Sequence, residues 1–237
     1  YVGANGVEDF RQKTPPDAVD ILKILLDAGA DINAQAGMYG GGSTTFGLTA
    51  TSIWPAKAGV LIPLLETMLA AGANIGGEDG SAVVSCLANG RPEAADALVR
   101  YGAALNLEGA AGTGRLDIVK SYFDDKGKLK DETHRLQMEK GFMWACEFGQ
   151  AEVIRFLLDA GIDPDMQVEG MAGLHWAVIG AHPETINLLI GRGAPLENEN
   201  QYGGTVLEST LWAVIHSDPV YRWPGNKADY PTIIELL

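Results

Sequence analysis

The chain has 237 residues, 46% hydrophobic and 20% charged, the mixture of a folded protein rather than of a disordered or fibrous one. Its 31 acidic against 17 basic residues leave a formal charge of −14, a field that repels phosphate backbones and anionic lipid heads and argues against nucleic acid or membrane as partner. Two cysteines, Cys86 and Cys146, are too few for a disulfide-stapled secreted scaffold, and with no N-glycosylation sequon or recognisable signal peptide the expected setting is reducing and cytoplasmic.

In chain order, the first predicted helix carries Ile21, Leu22, Leu25 and Leu26 at i, i+3, i+4 spacing, one apolar stripe ending two residues before Gly29. Ala36 to Thr44 reads as an insert. Its run Gly40-Gly41-Gly42-Ser43-Thr44-Thr45 lacks the Lys of a phosphate-binding loop and reads as a flexible loop. The most apolar stretch, Gly59 to Ile75, contains Pro63 and Glu66 and is too short and interrupted to span a bilayer. It ends on Met68-Leu69-Ala70-Ala71-Gly72-Ala73, the same phrase as Leu25-Leu26-Asp27-Ala28-Gly29-Ala30. The phrase returns at Leu98 to Ala103, Leu157 to Ile162 and Leu189 to Ala194, with a degenerate copy at Tyr122-Phe123 and Gly127. The six glycines follow one another at steps of 43, 30, 25, 34 and 32 residues, an average of about 33.

Each Gly stands where a short helix must stop, a left-handed conformation that is cheap only without a side chain. Upstream of each such helix lies a second one of smaller residues, as in Phe142 to Gly149 and Gly173 to Ala181, preceded by a polar or Gly-containing turn. The unit is turn, helix, turn, helix. Seven are expected: Tyr1–Gln35, Ala36–Ile75, Gly76–Ala104, Leu105–Leu129, Lys130–Pro164, Asp165–Leu196 and Glu197–Leu237. Further inserts fall at Leu129 to Glu139 and Ser217 to Asp229. Neither end reads as a polar capping repeat, and Leu236-Leu237 stops inside a unit.

Ala172-Gly173-Leu174-His175-Trp176-Ala177-Val178, followed in register by His182, Thr185-Ile186, Leu189-Ile190 and Gly193-Ala194, resembles the ankyrin repeat. Phe142 to Cys146 with Gly149, Val83 to Leu87 with Gly90, and Ala110-Ala111 with Gly114 and Ile118-Val119 are further copies. The likeness covers about 200 residues and is closest to bacterial ankyrin proteins. It implies an all-α solenoid of stacked helix pairs in a single ankyrin domain over 1–237, without cofactor, metal or catalytic site.

Among the remaining constellations, His175 and His182 match the family's Leu-His phrase and Gly-His turn, and no third or fourth ligand accompanies them. His134 and His216 read as surface residues. Cys86 and Cys146 fall on small-residue positions of first helices two units apart, too far for a disulfide, so both are expected to be buried thiols. Gly112-Thr113-Gly114-Arg115 lacks the strand and third Gly of a dinucleotide site, and the acid pairs Glu78-Asp79 and Asp124-Asp125 stand in turns. Trp144 and Trp176 share one repeat position, where the resemblance implies packing between units.

Function is expected in protein binding on the concave face of the stack, with a basic protein favoured by the acidic charge. A monomer is expected, its uncapped termini leaving end-to-end contacts open. The register puts Glu147, Phe148, Glu169, Met171, Ile179 and Tyr202 on one strip: Glu169 and Met171 flank Gly170, Tyr202 precedes Gly203, and the other three occupy the variable first-helix positions. Two other readings use the same features: a scaffold segment of a larger multidomain chain, enzymatic or not, and a small enzyme built in the inserts.

Overall fold

A computed structural model describes residues 13–37, 41–216 and 230–237. The regular elements are helices and two antiparallel two-residue hairpins, and the chain divides into two compact units, one up to Leu105 and one from Asn106.

The first unit holds α1 (Ala18–Asp27), a hairpin of β1 (Gln35–Ala36) with β2 (Ser43–Thr44), then α2 (Thr45–Ala50), α3 (Ile53–Lys57), α4 (Leu61–Ala70), α5 (Ser81–Ala88) and α6 (Pro92–Arg100). The segment expected as an insert at Ala36 to Thr44 is therefore largely a hairpin. Thr44 closes it by accepting the Gly47 N–H at 3.1 Å, which caps α2. The longest glycine step has a second cause. After α2 the chain does not run on as one first helix but restarts at Ser52, whose Oγ accepts the Trp54 N–H at 3.3 Å to open α3. On α1 only Leu22 and Leu26 of the expected stripe are half-buried, where the helix packs on α4, while Ile21 and Leu25 are exposed.

The second unit pairs α7 (Leu107–Gly112) with α8 (Leu116–Ser121), α9 (Arg135–Glu147) with α10 (Ala151–Asp159), α11 (Gly173–Gly180) with α12 (Pro183–Gly191), and α13 (Val206–His216) with α14 (Tyr230–Leu236). β3 (Gln167–Val168) and β4 (Met171–Ala172) form a hairpin before α11. The first helices α7, α9, α11 and α13 stack in sequence, and so do the second helices. Small residues make this close packing feasible: Ala110, Ala145 and Ala177 occupy one register position and are all fully buried. Leu107, Phe142 and Leu174 fill the neighbouring position and are buried too. The expected insert at Leu129 to Glu139 is partly helical, since α9 begins at Arg135 after a 3-10 turn at Glu132–His134. The expected insert at Ser217 to Asp229 lies outside the described residues, as does the side chain of His216.

The recurring phrase has a hydrogen-bond cause. At each copy the Gly N–H donates to the second apolar residue's carbonyl and the next residue's N–H to the first's, as in Gly29 to Leu26 and Ala30 to Leu25, or Gly161 to Leu158 and Ile162 to Leu157. This is the Schellman stop, which needs a left-handed residue at the Gly position, and φ there is +89° at Gly29 and +97° at Gly161. Two apolar residues, two spacers and Gly-Ala are thus one helix end repeated, with the apolar pair buried and its carbonyls satisfied.

Cys86 and Cys146 are both buried and free. Burial pushes the Cys86 thiol up to about 12, offset in part by Arg91, and raises the Cys146 thiol still further. Both are expected to stay protonated near neutral pH and to react with a maleimide at least about a hundredfold more slowly in the native protein than after denaturation. Mass spectrometry of labelled peptides checks this, and rapid native labelling of either thiol would show that its helix opens readily.

Candidate partner-binding strip

Hydrogen bonds between successive turns bring part of the expected strip together. The hairpin β3–β4 turns through Glu169 and Gly170, with φ of +54° and +74°, so both central residues are left-handed, as a two-residue hairpin requires. The carbonyl of Gly170 then accepts the Gln201 N–H from the next turn at 2.8 Å. That turn is tightened by Asn200, whose Oδ1 accepts the N–H groups of Tyr202 at 2.8 Å and Gly204 at 3.1 Å. Tyr202 is left 83% exposed beside the tip that carries Glu169. Glu169 is exposed too and pairs at 3.6 Å with Lys140 of α9.

Glu147 ends α9, two helical turns beyond Lys140. Its carboxyl is pushed up to about 8, first by burial and then by the negative charge of Glu169. Its Oε2 is closed to solvent with no hydrogen-bond partner among the described residues. The Glu147 carbonyl lies so close to Gly180 that a Cβ there would collide with it, which explains a glycine inside α11. Ile179, one residue earlier, is half-buried, and its carbonyl accepts the Tyr230 hydroxyl at 3.5 Å.

Two expected residues do not project. Phe148 is only 7% exposed because its ring stacks on Trp144, with centroids 6.0 Å apart, and Trp144 is itself held down by Trp176 at 6.5 Å. Met171 is 8% exposed because β4 turns it inward just before α11. Exposed surface on the strip therefore comes from Glu169 and Tyr202, with Ile179 and Glu147 at its edge. Lys140 and Gln201 join them, and sequence reasoning passed over both; the seven-residue spacing of Lys140 from Glu147 was the available signal.

The Trp144 indole also donates from Nε1 to Glu108 Oε1 at 2.8 Å in a buried bond between α9 and α7. The histidines serve the backbone. His175 Nδ1 accepts the Ala172 N–H at 3.2 Å, and burial lowers the ring's pKa, so it is neutral at pH 7. His182 lies against Gly149, its pKa lowered by burial and partly restored by a backbone hydrogen bond to Glu147. His134 stacks edge-on against Tyr122 at 5.0 Å and is half-buried. Among the described residues no three His, Cys, Asp or Glu side chains come together as a metal site would need, and no helix is long and apolar enough to cross a membrane.

A family model described as ankyrin repeats in three copies matches residues 107–201, the stretch that holds α7 to α12 and the strip. Ankyrin repeats are in general protein–protein interaction modules and are typically non-catalytic. The crystal structure of the human ASB11 ankyrin repeat domain is 17% identical, with 94% of this chain and 97% of that chain covered and a TM-score of 0.41. A comparison with curated protein sequences returned no match. With the family's repeats matched across α7 to α12 and the same helix stop recurring from Gly29 to Gly193, the chain is an all-α ankyrin repeat protein.

Proposed function

We propose that this protein is a non-catalytic binding module that holds a partner protein against the strip of Glu169, Tyr202, Ile179 and Glu147, with Lys140 and Gln201 beside them. The observation that carries the reading is the Gln201–Gly170 hydrogen bond, which fixes an exposed tyrosine next to an exposed acid on two successive turn tips. A tyrosine presents large contact area for little conformational entropy and keeps a hydroxyl for hydrogen bonding, so it suits an interface anchor. Glu169 and the formal charge of −14 favour a basic partner and speed its approach.

Capture of the partner from native lysate by the intact protein, followed by quantitative binding to the purified partner, tests this. Tyr202→Ala is expected to weaken binding by roughly 1–2 kcal/mol or more, about tenfold. Its midpoint in urea is expected to stay unchanged, because so exposed a side chain makes little contact with the fold. Affinity untouched by Tyr202→Ala and by Glu169→Gln together would place the binding face elsewhere.

A further inference from the structure

In the second unit each first helix closes on the next, but in the first unit the interruption of the first helix at Ser52 leaves an open space. A cleft of about 900 Å³ lies between α2 and α5. Phe46, Leu48 and Thr51 line it from α2, and Ser81, Ser85 and Asn89 from α5 or its end. Phe46, Cys86 and Leu98 are buried at its floor, whereas Ser85, Asn89, Asn74 and Gln35 are exposed at its rim.

The lining is uncharged. One residue in five of this chain is charged, yet no Asp, Glu, Lys, Arg or His contributes to the wall among the described residues. An ionic ligand would lose its hydration there with no opposite charge to replace it, a cost of several kcal/mol. A sugar ring or a nucleobase binds best on an exposed aromatic face, and the one aromatic lining residue, Phe46, is 2% exposed. What the wall does offer is neutral hydrogen-bonding capacity above an apolar floor. Asn74 spends its Oδ1 on the Gly76 N–H and keeps its amide hydrogens, while Asn89 spends its amide on the Ser85 carbonyl and keeps its oxygen. Donor and acceptor thus remain at the rim, the combination that a peptide backbone matches.

We propose that the cleft between α2 and α5 binds an extended peptide segment with uncharged side chains, its amide groups meeting Gln35, Asn74, Ser85 and Asn89 and its small apolar side chains resting over Phe46, Leu48 and Leu98. This site uses none of the residues of the strip in the second unit, so either can fail without the other.

Amide NMR of the intact chain tests it with three pools of blocked hexapeptides built from Gly, Ala, Ser, Thr and Val, one neutral, one with a single Glu and one with a single Lys. The neutral pool is expected to shift the Asn74, Ser85 and Asn89 amides saturably, at a concentration at least about fivefold below either charged pool, since one stranded charge costs that much or more. Ser85→Glu, on an exposed helix position, is expected to abolish the shifts while leaving the spectrum of the second unit unchanged. N-methylacetamide alone is expected to shift the same amides more weakly and isopropanol to leave them unmoved. Absent or non-saturating shifts, charged pools that bind as tightly, or an isopropanol effect equal to that of N-methylacetamide would each overturn the proposal.

Discussion

Phe148→Ala is expected to destabilise the protein by about 3 kcal/mol, a core-sized loss rather than a surface one. The ring is 7% exposed and stacked on Trp144, which in turn packs on Trp176 and donates to Glu108. Removing it leaves a hole beneath two large indoles whose positions are fixed by a buried hydrogen bond, so the site cannot collapse freely. Urea unfolding with the slope unchanged and the midpoint lowered is the expected record. Phe148→Leu, which keeps most of the volume, is expected to lose about 1 kcal/mol. A loss under about 0.5 kcal/mol for Phe148→Ala would mean that the ring swings outward in solution and returns to the strip.

The second large effect is expected from Glu147→Gln, and it depends on pH. The Glu147 carboxyl titrates at about 8 in the folded chain against an ordinary value of 4.5, so between these limits the folded state holds a proton that the unfolded state has released. Its contribution is fully present below pH 4.5 and is lost as pH rises through 8. Glutamine imitates the protonated acid at every pH. Glu147→Gln should therefore match the parent near pH 4.5 and exceed its stability by about 3 kcal/mol at pH 8.5. The groups around the carboxyl are Glu169, which raises it further, Lys140, which pairs with Glu169, and His182, whose ring bonds the Glu147 backbone. His175 and His182, held neutral by burial, tilt the parent's own pH profile the other way at acid pH, so the difference between variant and parent isolates Glu147. Urea midpoints at pH 5, 7 and 8.5 decide the matter. A constant difference across the three would assign the effect to packing instead of ionisation.

The helix ends of this protein were legible in its residues because they are local. A Schellman stop joins groups five residues apart at most, so Leu25-Leu26-Asp27-Ala28-Gly29-Ala30 contains its own explanation, and its recurrence announces the period. The burial of Ala110, Ala145 and Ala177, and of both cysteines, followed from the same register. Three features had to wait for the fold. Phe148 and Ile179 look alike as apolar residues just past a small pair, but Phe148 is pinned by an indole whose partner Glu108 lies 36 residues earlier. Glu147 reads as a solvated acid in any window of sequence, and only packing of α9 against α11, with Gly180 admitting its carbonyl, shows why its carboxyl is desolvated. The break at Ser52 was visible as extra length, but residue spacing does not say whether extra length becomes a loop or a displaced helix. That outcome depends on whether Ile53 and Ala56 of α3 find a core to enter, which they do. Periodicity therefore specified the repeated unit through hydrogen bonds that close within one turn, whereas exposure, charge state and open space arose from contacts between units, where side chains far apart in sequence compete for the same volume.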